Sequence, residues 1–130
     1  METKKSIVYT CFCTDIIHEG HLNLINEAKK YGDVVIGVLC DAEMVKYNRF
    51  PLKNTSERVD LVKDIPGVSK VIVQKNVMYD YVVEEIKPDY IVHGNNWNDE
   101  AMIAIKNNIL NLLDEHGGEL IEVAYTFNEK

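Results

Sequence analysis

The sequence predicts the α/β class, with a five-stranded parallel sheet and helices on both of its faces. Short β-branched runs alternate with segments of helical periodicity along the chain, which is the order that βαβ units produce. The stretch 33–40 is almost continuously apolar, as expected for a central parallel strand buried on both faces. At 130 residues the chain fits one domain, 1–130. We therefore expect a Rossmann-like single domain with right-handed crossovers.

Each strand is assigned from a short apolar run, and each helix from apolar residues that repeat every three or four positions. The predicted strands are 6–11, 33–40, 68–73, 89–93 and 119–125. The predicted helices are one that ends near residue 32, a turn at 41–44, and longer helices at 54–65, 79–87 and 99–116. In the first helix the apolar residues that recur at helical spacing are Leu22, Ile25, Ala28 and Tyr31.

Two helix ends carry clear capping signals. Asn54 or Thr55 is predicted to cap the third helix, with Glu57 in its first turn. Gly117 and Gly118 are predicted to end the last helix, because glycine readily adopts the left-handed conformation found after a helix. The last predicted strand follows directly.

Composition narrows the function classes. A net charge of -7 argues against non-specific binding to nucleic acid or to an acidic membrane surface. No apolar run approaches the roughly 18 residues of a membrane span, and the amino terminus does not resemble a signal peptide. Cys11, Cys13 and Cys40 are an odd number of cysteines, so we expect reduced thiols and a cytoplasmic protein, with Cys11 and Cys40 buried and inert.

The junction between the first strand and the first helix is the strongest candidate site. Open α/β sheets bind ligands at the carboxyl ends of their strands, and this junction lies at such an end. His18 and His21 are three residues apart at the helix start, where the free backbone N–H groups and the helix dipole favour an anion. Gly20 between them lets a phosphate approach the backbone closely. The sequence therefore predicts a nucleotide-phosphate site.

A second polar segment follows the fourth predicted strand. It reads Gly94, Asn95, Asn96 and Trp97. In a parallel sheet this loop can meet the first junction over one edge, where Trp97 could stack on a ligand or line its pocket.

Positive charge is concentrated in one aperiodic loop and in the helix that follows it. These residues are Lys46, Arg49, Lys53 and Arg58. Most surface cations are merely solvated, but this acidic chain has no other cluster able to balance phosphate charge. We therefore expect the loop to bind phosphate.

Two simpler interpretations of His18 and His21, which lie between the first strand and the first helix and which we call the histidine junction, are also possible. The pair of histidines could be accidental on an exposed helix start. Alternatively, Cys11, Cys13, His18 and His21 supply a Cys₂His₂ ligand count for a metal, although they are too close in sequence to enclose one without distorting the junction. The motif is not His-Glu-x-x-His, which disfavours a zinc protease.

With Asp15-x-x-His18-Glu19-Gly20-His21 placed after the first strand, the chain resembles the HxGH nucleotidyltransferases, and among them the small cytidylyltransferases. The likeness covers nearly the whole chain. Asp41, the basic loop, Arg58 and the stretch 94–97 follow the order seen in glycerol-3-phosphate cytidylyltransferase. The stretches 87–94 and 117–120 look closer still to cytidylyltransferase domains attached to phosphoenolpyruvate mutases in phosphonate biosynthesis.

This resemblance implies a transfer of CMP from CTP, accompanied by Mg²⁺, to a small phosphate or phosphonate acceptor by a homodimer. The implied catalytic residues are His18, His21, Lys46 and Arg49. The implied nucleotide-binding residues are Cys13, Thr14, Asp15, Gly20, Arg58, Gly94, Asn95, Asn96, Trp97 and Thr126. No residue is implied as a direct metal ligand.

The chain departs from the family pattern at three places. Cys13 replaces a usual Thr or Ser, and Asn95-Asn96 replaces the Asp-Asp of many relatives. After Tyr125-Thr126, relatives continue into a Gly-Ile-Ser-Thr-Thr type of segment, whereas this sequence reads Phe-Asn-Glu-Lys. We therefore expect a folded protein with weak activity or none. An adenylyltransferase of the same superfamily and a non-catalytic nucleotide-binding domain are the alternatives.

Overall fold

A computed structural model describes residues 6–12, 19–46, 54–76, 78–94 and 100–123 of the chain. In these residues the protein forms five strands and five helices. The strands are β1 (Ile7–Phe12), β2 (Asp33–Leu39), β3 (Val68–Gln74), β4 (Tyr90–Gly94) and β5 (Glu119–Val123). The helices are α1 (Glu19–Ala28), α2 (Asp41–Lys46), α3 (Thr55–Lys63), α4 (Asp80–Ile86) and α5 (Glu100–His116).

All neighbouring strands pair in parallel, in the order β3-β2-β1-β4-β5. The chain therefore builds outward from β1 to β3 and then crosses to the other side of β1 to form β4. Register pairs Val8 with Tyr90 and Tyr9 with Ile91, so β1 and β4 are direct neighbours. The position between them is the topological switch point of the sheet, where open α/β proteins bind their ligands.

Alternate side chains of β1 enter two different cores, as the two-residue period of a strand requires. Val8 and Phe12 pack with Ile25 of α1 and Val62 of α3 on one face. On the other face, Tyr9 packs with Tyr79, which precedes α4, and with Val82 of α4 and Ile109 and Leu113 of α5. Helices therefore cover both faces of the sheet, and the predicted fold class is confirmed.

The predicted elements agree with the structure to within a few residues, and the exceptions concern side chains. Ile25 and Ala28 are buried in α1, but Leu22 is 42% exposed, and Leu24 packs on the core instead. Cys11 and Cys40 are only half-buried, so the prediction of buried cysteines is wrong. No helix in the described part of the chain has the length and apolar character needed to cross a membrane.

The capping predictions are confirmed where they can be examined. The Asn54 side chain accepts a 2.8 Å bond from the Glu57 N–H, and Glu57 accepts a 2.9 Å bond from the Asn54 N–H, which is a complete capping box. At the end of α5, Gly117 has φ 88° and Gly118 has φ 124°. Both angles lie in the region that glycine adopts without steric cost. These residues let the chain turn directly from α5 into β5.

Candidate nucleotide site

The described part of the chain contains five of the predicted site residues. Gly20 and His21 lie in the first turn of α1, Lys46 is the last residue of α2, Arg58 lies in α3 and Gly94 ends β4. The remaining predicted site residues lie outside the described part: Cys13, Thr14, Asp15, His18, Arg49, Asn95, Asn96, Trp97 and Thr126. Their roles stay predictions.

The fold places the strand ends that precede the two polar segments side by side. β1 ends at Phe12 and the next described element is α1 from Glu19; the adjacent β4 ends at Gly94 and the next described element is α5 from Glu100. Both helices thus begin beside the switch point. Their first backbone N–H groups have no intrahelical acceptor, and each helix presents its positive dipole end there. This arrangement favours a phosphorylated ligand in the crevice between β1 and β4.

Arg58 shapes the neighbouring part of the same edge. Its side chain is buried, with 1% of its surface exposed. Nη1 donates a 2.7 Å hydrogen bond to the carbonyl oxygen of Leu39, and Nη2 donates a 2.5 Å bond to Oδ1 of Asp41. A buried guanidinium requires such acceptors, because the desolvation of a charge is costly. Arg58 therefore joins α3 to the end of β2 and the start of α2.

Asp41 and Thr55 join the two ends of residues 41–55, which we call the basic segment, by hydrogen bonds. The Asp41 N–H donates a 3.0 Å bond to Oγ1 of Thr55, and the Thr55 N–H donates a 3.1 Å bond to Oδ2 of Asp41. The segment between them includes α2, which ends at Lys46, and the predicted basic loop with Arg49. The two ends of this segment are consequently held at a fixed separation beside the carboxyl end of β2.

The charge of Asp41 responds to this environment. Desolvation raises the pKa of Asp41, but the hydrogen bonds from Arg58 and Thr55 together outweigh it and hold the pKa below the usual value of 3.8. The carboxylate is therefore ionised at neutral pH. Both carboxylate oxygens of Asp41 accept hydrogen bonds from the protein, so Asp41 has a structural role beside the site rather than that of a ligand-binding residue.

The Arg58 side chain is buried, whereas a phosphate-binding arginine would face the solvent-filled crevice. The sequence suggested contact with the nucleotide or the acceptor, whereas the structure shows the guanidinium bound to Leu39 and Asp41. A direct substrate contact stays a prediction for this residue. The structural role of Asp41 and Arg58 was missed, because residues 17 apart in sequence give no periodic signal of their contact.

The rival metal interpretation is not tested by the described residues. Among them, no three His, Cys, Asp or Glu side chains cluster closely enough to hold a metal ion. Cys13 and His18, two of the four suggested ligands, lie outside the described part, and so does the side chain of His21.

The fold and the crevice at its switch point define an α/β domain of the ligand-binding open-sheet class. The sequence matches the family described as cytidylyltransferase-like over residues 8–116. The chain belongs to this family, and the family assignment makes it a nucleotidyltransferase domain.

Curated relatives agree with the family assignment. The chain is 31% identical over 120 residues to the bifunctional protein HldE of Desulfatibacillum aliphaticivorans, an alignment covering 90% of this chain and 24% of that protein. It is 33% identical over 93 residues to the ethanolamine-phosphate cytidylyltransferase of Arabidopsis thaliana, covering 67% of this chain and 22% of that protein. The chain thus matches about a quarter of the length of these relatives.

Solved structures show the same architecture. The lipopolysaccharide core biosynthesis protein from Thermoplasma volcanium GSS1 superposes with a TM-score of 0.77 at 25% identity, covering 95% of this chain and 100% of that one. A pantoate-beta-alanine ligase from Francisella tularensis superposes with a TM-score of 0.67 at 12% identity, covering 99% of this chain and 62% of that one. The second likeness concerns the fold alone.

Proposed function

We propose that this protein is a cytidylyltransferase that moves CMP from CTP to a small phosphate or phosphonate acceptor and releases pyrophosphate. The observation that carries the proposal is the family match over residues 8–116, which includes the His18–His21 motif and both strands of the switch point. The ethanolamine-phosphate cytidylyltransferase among the relatives favours a phosphorylated acceptor. The acceptor is of the glycerol 3-phosphate or 2-hydroxyethylphosphonate type, as the resemblance to phosphonate-pathway domains suggests.

The reaction is an in-line displacement at the α-phosphorus of CTP. An oxygen of the acceptor's phosphate or phosphonate forms the new bond, and the bond from the α-phosphorus to the oxygen that bridges it to the β-phosphorus breaks. Pyrophosphate leaves with that electron pair. The protein does no covalent chemistry, so positioning and charge neutralisation supply the catalysis. His18 and His21 donate hydrogen bonds to the charge that grows on the α-phosphate and the leaving group.

The basic segment brings the two anionic substrates together. Lys46 and Arg49 bind acceptor and triphosphate, and a guanidinium can hold two phosphate oxygens at once. The nucleotide-binding residues proposed from the resemblance are Cys13, Thr14, Asp15, Gly20, Gly94, Asn95, Asn96, Trp97 and Thr126, which complete the crevice. The resemblance also proposes Arg58, whose buried guanidinium supports the basic segment through Asp41. Mg²⁺ enters with CTP as part of the substrate, held chiefly by phosphate oxygens and water. We further propose a cytoplasmic homodimer.

The experiment is a matrix of pyrophosphate-release assays. Each of the four nucleoside triphosphates is combined with a panel of phospho-alcohols and phosphonates, in the presence of Mg²⁺. Release that requires both CTP and one acceptor supports the proposal. Release with ATP instead of CTP would identify an adenylyltransferase, and CTP binding measured by calorimetry without any release would identify a non-catalytic nucleotide-binding domain.

A further inference from the structure

Tyr9 reaches across a whole strand of the sheet. It lies in β1, but its hydroxyl donates a 2.5 Å hydrogen bond to Oε1 of Gln74, the last residue of β3, and both side chains are buried. The ring crosses β2 at Gly37, where an added Cβ would lie 1.7 Å from the hydroxyl oxygen and 2.6 Å from Cζ. A glycine inside an otherwise apolar strand marks such a close approach. The strand in between is therefore shaped to let Tyr9 pass.

The same tyrosine holds both ends of the connection between β3 and α4. At the start of this connection its hydroxyl binds Gln74, whose Nε2 donates a 2.7 Å bond to the carbonyl oxygen of Asn76. At the other end the ring of Tyr9 meets the ring of Tyr79 edge-on, with centroids 5.9 Å apart. The Met78 N–H donates a 2.8 Å bond to Oδ1 of Asn76. The connection is thus fixed from inside the sheet.

This connection forms the wall of a cavity of about 350 Å³, a size suited to a small molecule. Gln74 and Asn76 line it together with apolar side chains, and Tyr81 beside them is 64% exposed. Lys75 also lines the cavity and is exposed to solvent. An apolar wall with one available ammonium group suits a small organic anion.

The position of the connection indicates which substrate it serves. It lies at the carboxyl edge of the sheet, on the β3 side of β1, whereas the nucleotide crevice lies on the β4 side. The Cys40 N–H donates a 3.0 Å bond to the carbonyl oxygen of Gln74, so this wall continues into the start of α2 and the basic segment. When a nucleotide occupies the crevice, the β3 side of the sheet edge stays unoccupied and can bind the second substrate.

We propose that Tyr9 is a positioning residue for the acceptor: by holding Gln74 and Tyr79 it presets the connection between β3 and α4 for acceptor binding. Tyr9 touches no substrate itself, and CTP binding does not depend on its hydroxyl. The proposal rests on the proposed transferase function, because it assigns the connection to that reaction's second substrate.

The test is Tyr9→Phe, which removes the hydroxyl but keeps the ring against Tyr79. The matched control is Tyr31→Phe, which removes a hydroxyl from a half-exposed tyrosine whose ring packs on Tyr90, 5.0 Å away. Tyr9→Phe is expected to raise the acceptor KM about 10-fold, the effect of losing one buried hydrogen bond that orders a binding wall. The KM for CTP should stay within about 2-fold, as both constants should in the control.

A second measurement separates positioning from general loss of structure. Hydrogen exchange at the Met78 amide should accelerate in Tyr9→Phe, because that amide binds Asn76, which Gln74 holds. Exchange should stay slow in β1 and β2 and at the Tyr79 amide, which donates a 2.7 Å bond to Oδ1 of Asn108. An unchanged acceptor KM, or an equal rise of both KM values with faster exchange throughout the sheet, would overturn the proposal. If the wild-type protein transfers CMP to no acceptor, the proposed function fails first. Exchange then tests whether the Tyr9 hydroxyl orders the connection, and unaltered protection of the Met78 amide overturns that claim.

Discussion

Arg58 and Asp41 form an ion pair between a buried guanidinium and a carboxylate that is 43% exposed, with 2.5 Å between Nη2 and Oδ1. The same guanidinium binds the carbonyl oxygen of Leu39, and the same carboxylate binds the Thr55 N–H. One pair of side chains therefore joins the end of β2, the start of α2 and the start of α3. β2 and α3 flank the basic segment, and α2 is its first part.

Removing the charge of Asp41 should weaken both the fold and the site. Asp41→Asn leaves the buried Arg58 guanidinium without its anionic partner. We expect the free energy of unfolding to fall by about 1–2 kcal/mol, a modest loss because solvent screens the partly exposed carboxylate. Asp60→Asn is the control, because Asp60 pairs with Lys63 on the exposed side of α3. Urea denaturation measures both variants, and an equal change in the two would contradict the structural role of the pair.

The contribution of this pair should depend on pH in a defined direction. The folded-state pKa of Asp41 lies below its usual value of 3.8, so the unfolded state takes up the proton first as the pH falls. The stabilisation is therefore fully present above that value and is lost as the pH falls below it towards the folded-state pKa. Urea denaturation of wild type and Asp41→Asn from about pH 6 to about pH 3 should show a shrinking difference. A constant difference would show that the carboxylate charge is not involved.

Each of the two histidines of the HxGH motif, His18 and His21, should be required for full turnover but not for folding. His18→Ala and His21→Ala each remove a donor to the charge that develops in the transition state, and we expect kcat to fall about 10²-fold or more. His116→Ala is the control, since His116 lies exposed at the far end of α5. Circular dichroism checks the fold of each variant. Wild-type turnover in both motif variants would refute the assignment.

The basic segment should act on substrate binding. Lys46→Ala and Arg49→Ala are each expected to raise the KM for CTP or acceptor about 10-fold, with Arg49→Ala the more severe because of its bidentate geometry. Lys30→Ala removes an exposed lysine that pairs with Glu27 at 3.0 Å and serves as the control. Separate titrations of CTP and acceptor locate each effect. If neither substitution changes any constant, the segment is only a solvated surface.

Gly37 should tolerate no side chain while Tyr9 is present. The added Cβ of Gly37→Ala would overlap the Tyr9 ring, and we expect a loss of about 2 kcal/mol or more of unfolding free energy. The double variant Gly37→Ala/Tyr9→Leu removes the ring and should show a clearly smaller loss than the sum of the two single variants. Strict additivity of the three measured free energies would mean that the two residues do not interact.

The sheet and its helices could be predicted because their signals are local. Apolar runs, the Asn54 capping box and the Gly117–Gly118 turn each depend on neighbours in sequence. The exposure of Leu22 could not be foreseen, because helical spacing alone does not say which stripe of α1 meets the sheet. The contacts between residues far apart in sequence, such as Arg58 with Asp41 and Tyr9 with Gln74, could not be predicted from the sequence either.

Gly37 was a local sign of such a pair within β2. It interrupts the apolar run of β2, and in the structure it marks the path of Tyr9 to Gln74. The partner of a close approach lies on another strand, so the sequence shows where space is needed but not which side chain uses it. The histidine junction is the opposite case, since its motif is local while its ligand contacts depend on residues outside the described part.

The most direct test of the central claim is to identify the product by mass spectrometry. The protein is incubated with CTP, Mg²⁺ and the acceptor panel at a protein concentration close to that of the substrates, so that a single turnover per molecule is detected. We predict that one phosphate or phosphonate acceptor gains a cytidylyl group and that an equal amount of pyrophosphate appears, while His18→Ala yields neither within the same time. If the protein binds CTP but no acceptor gains a cytidylyl group, the proposed transferase function is contradicted.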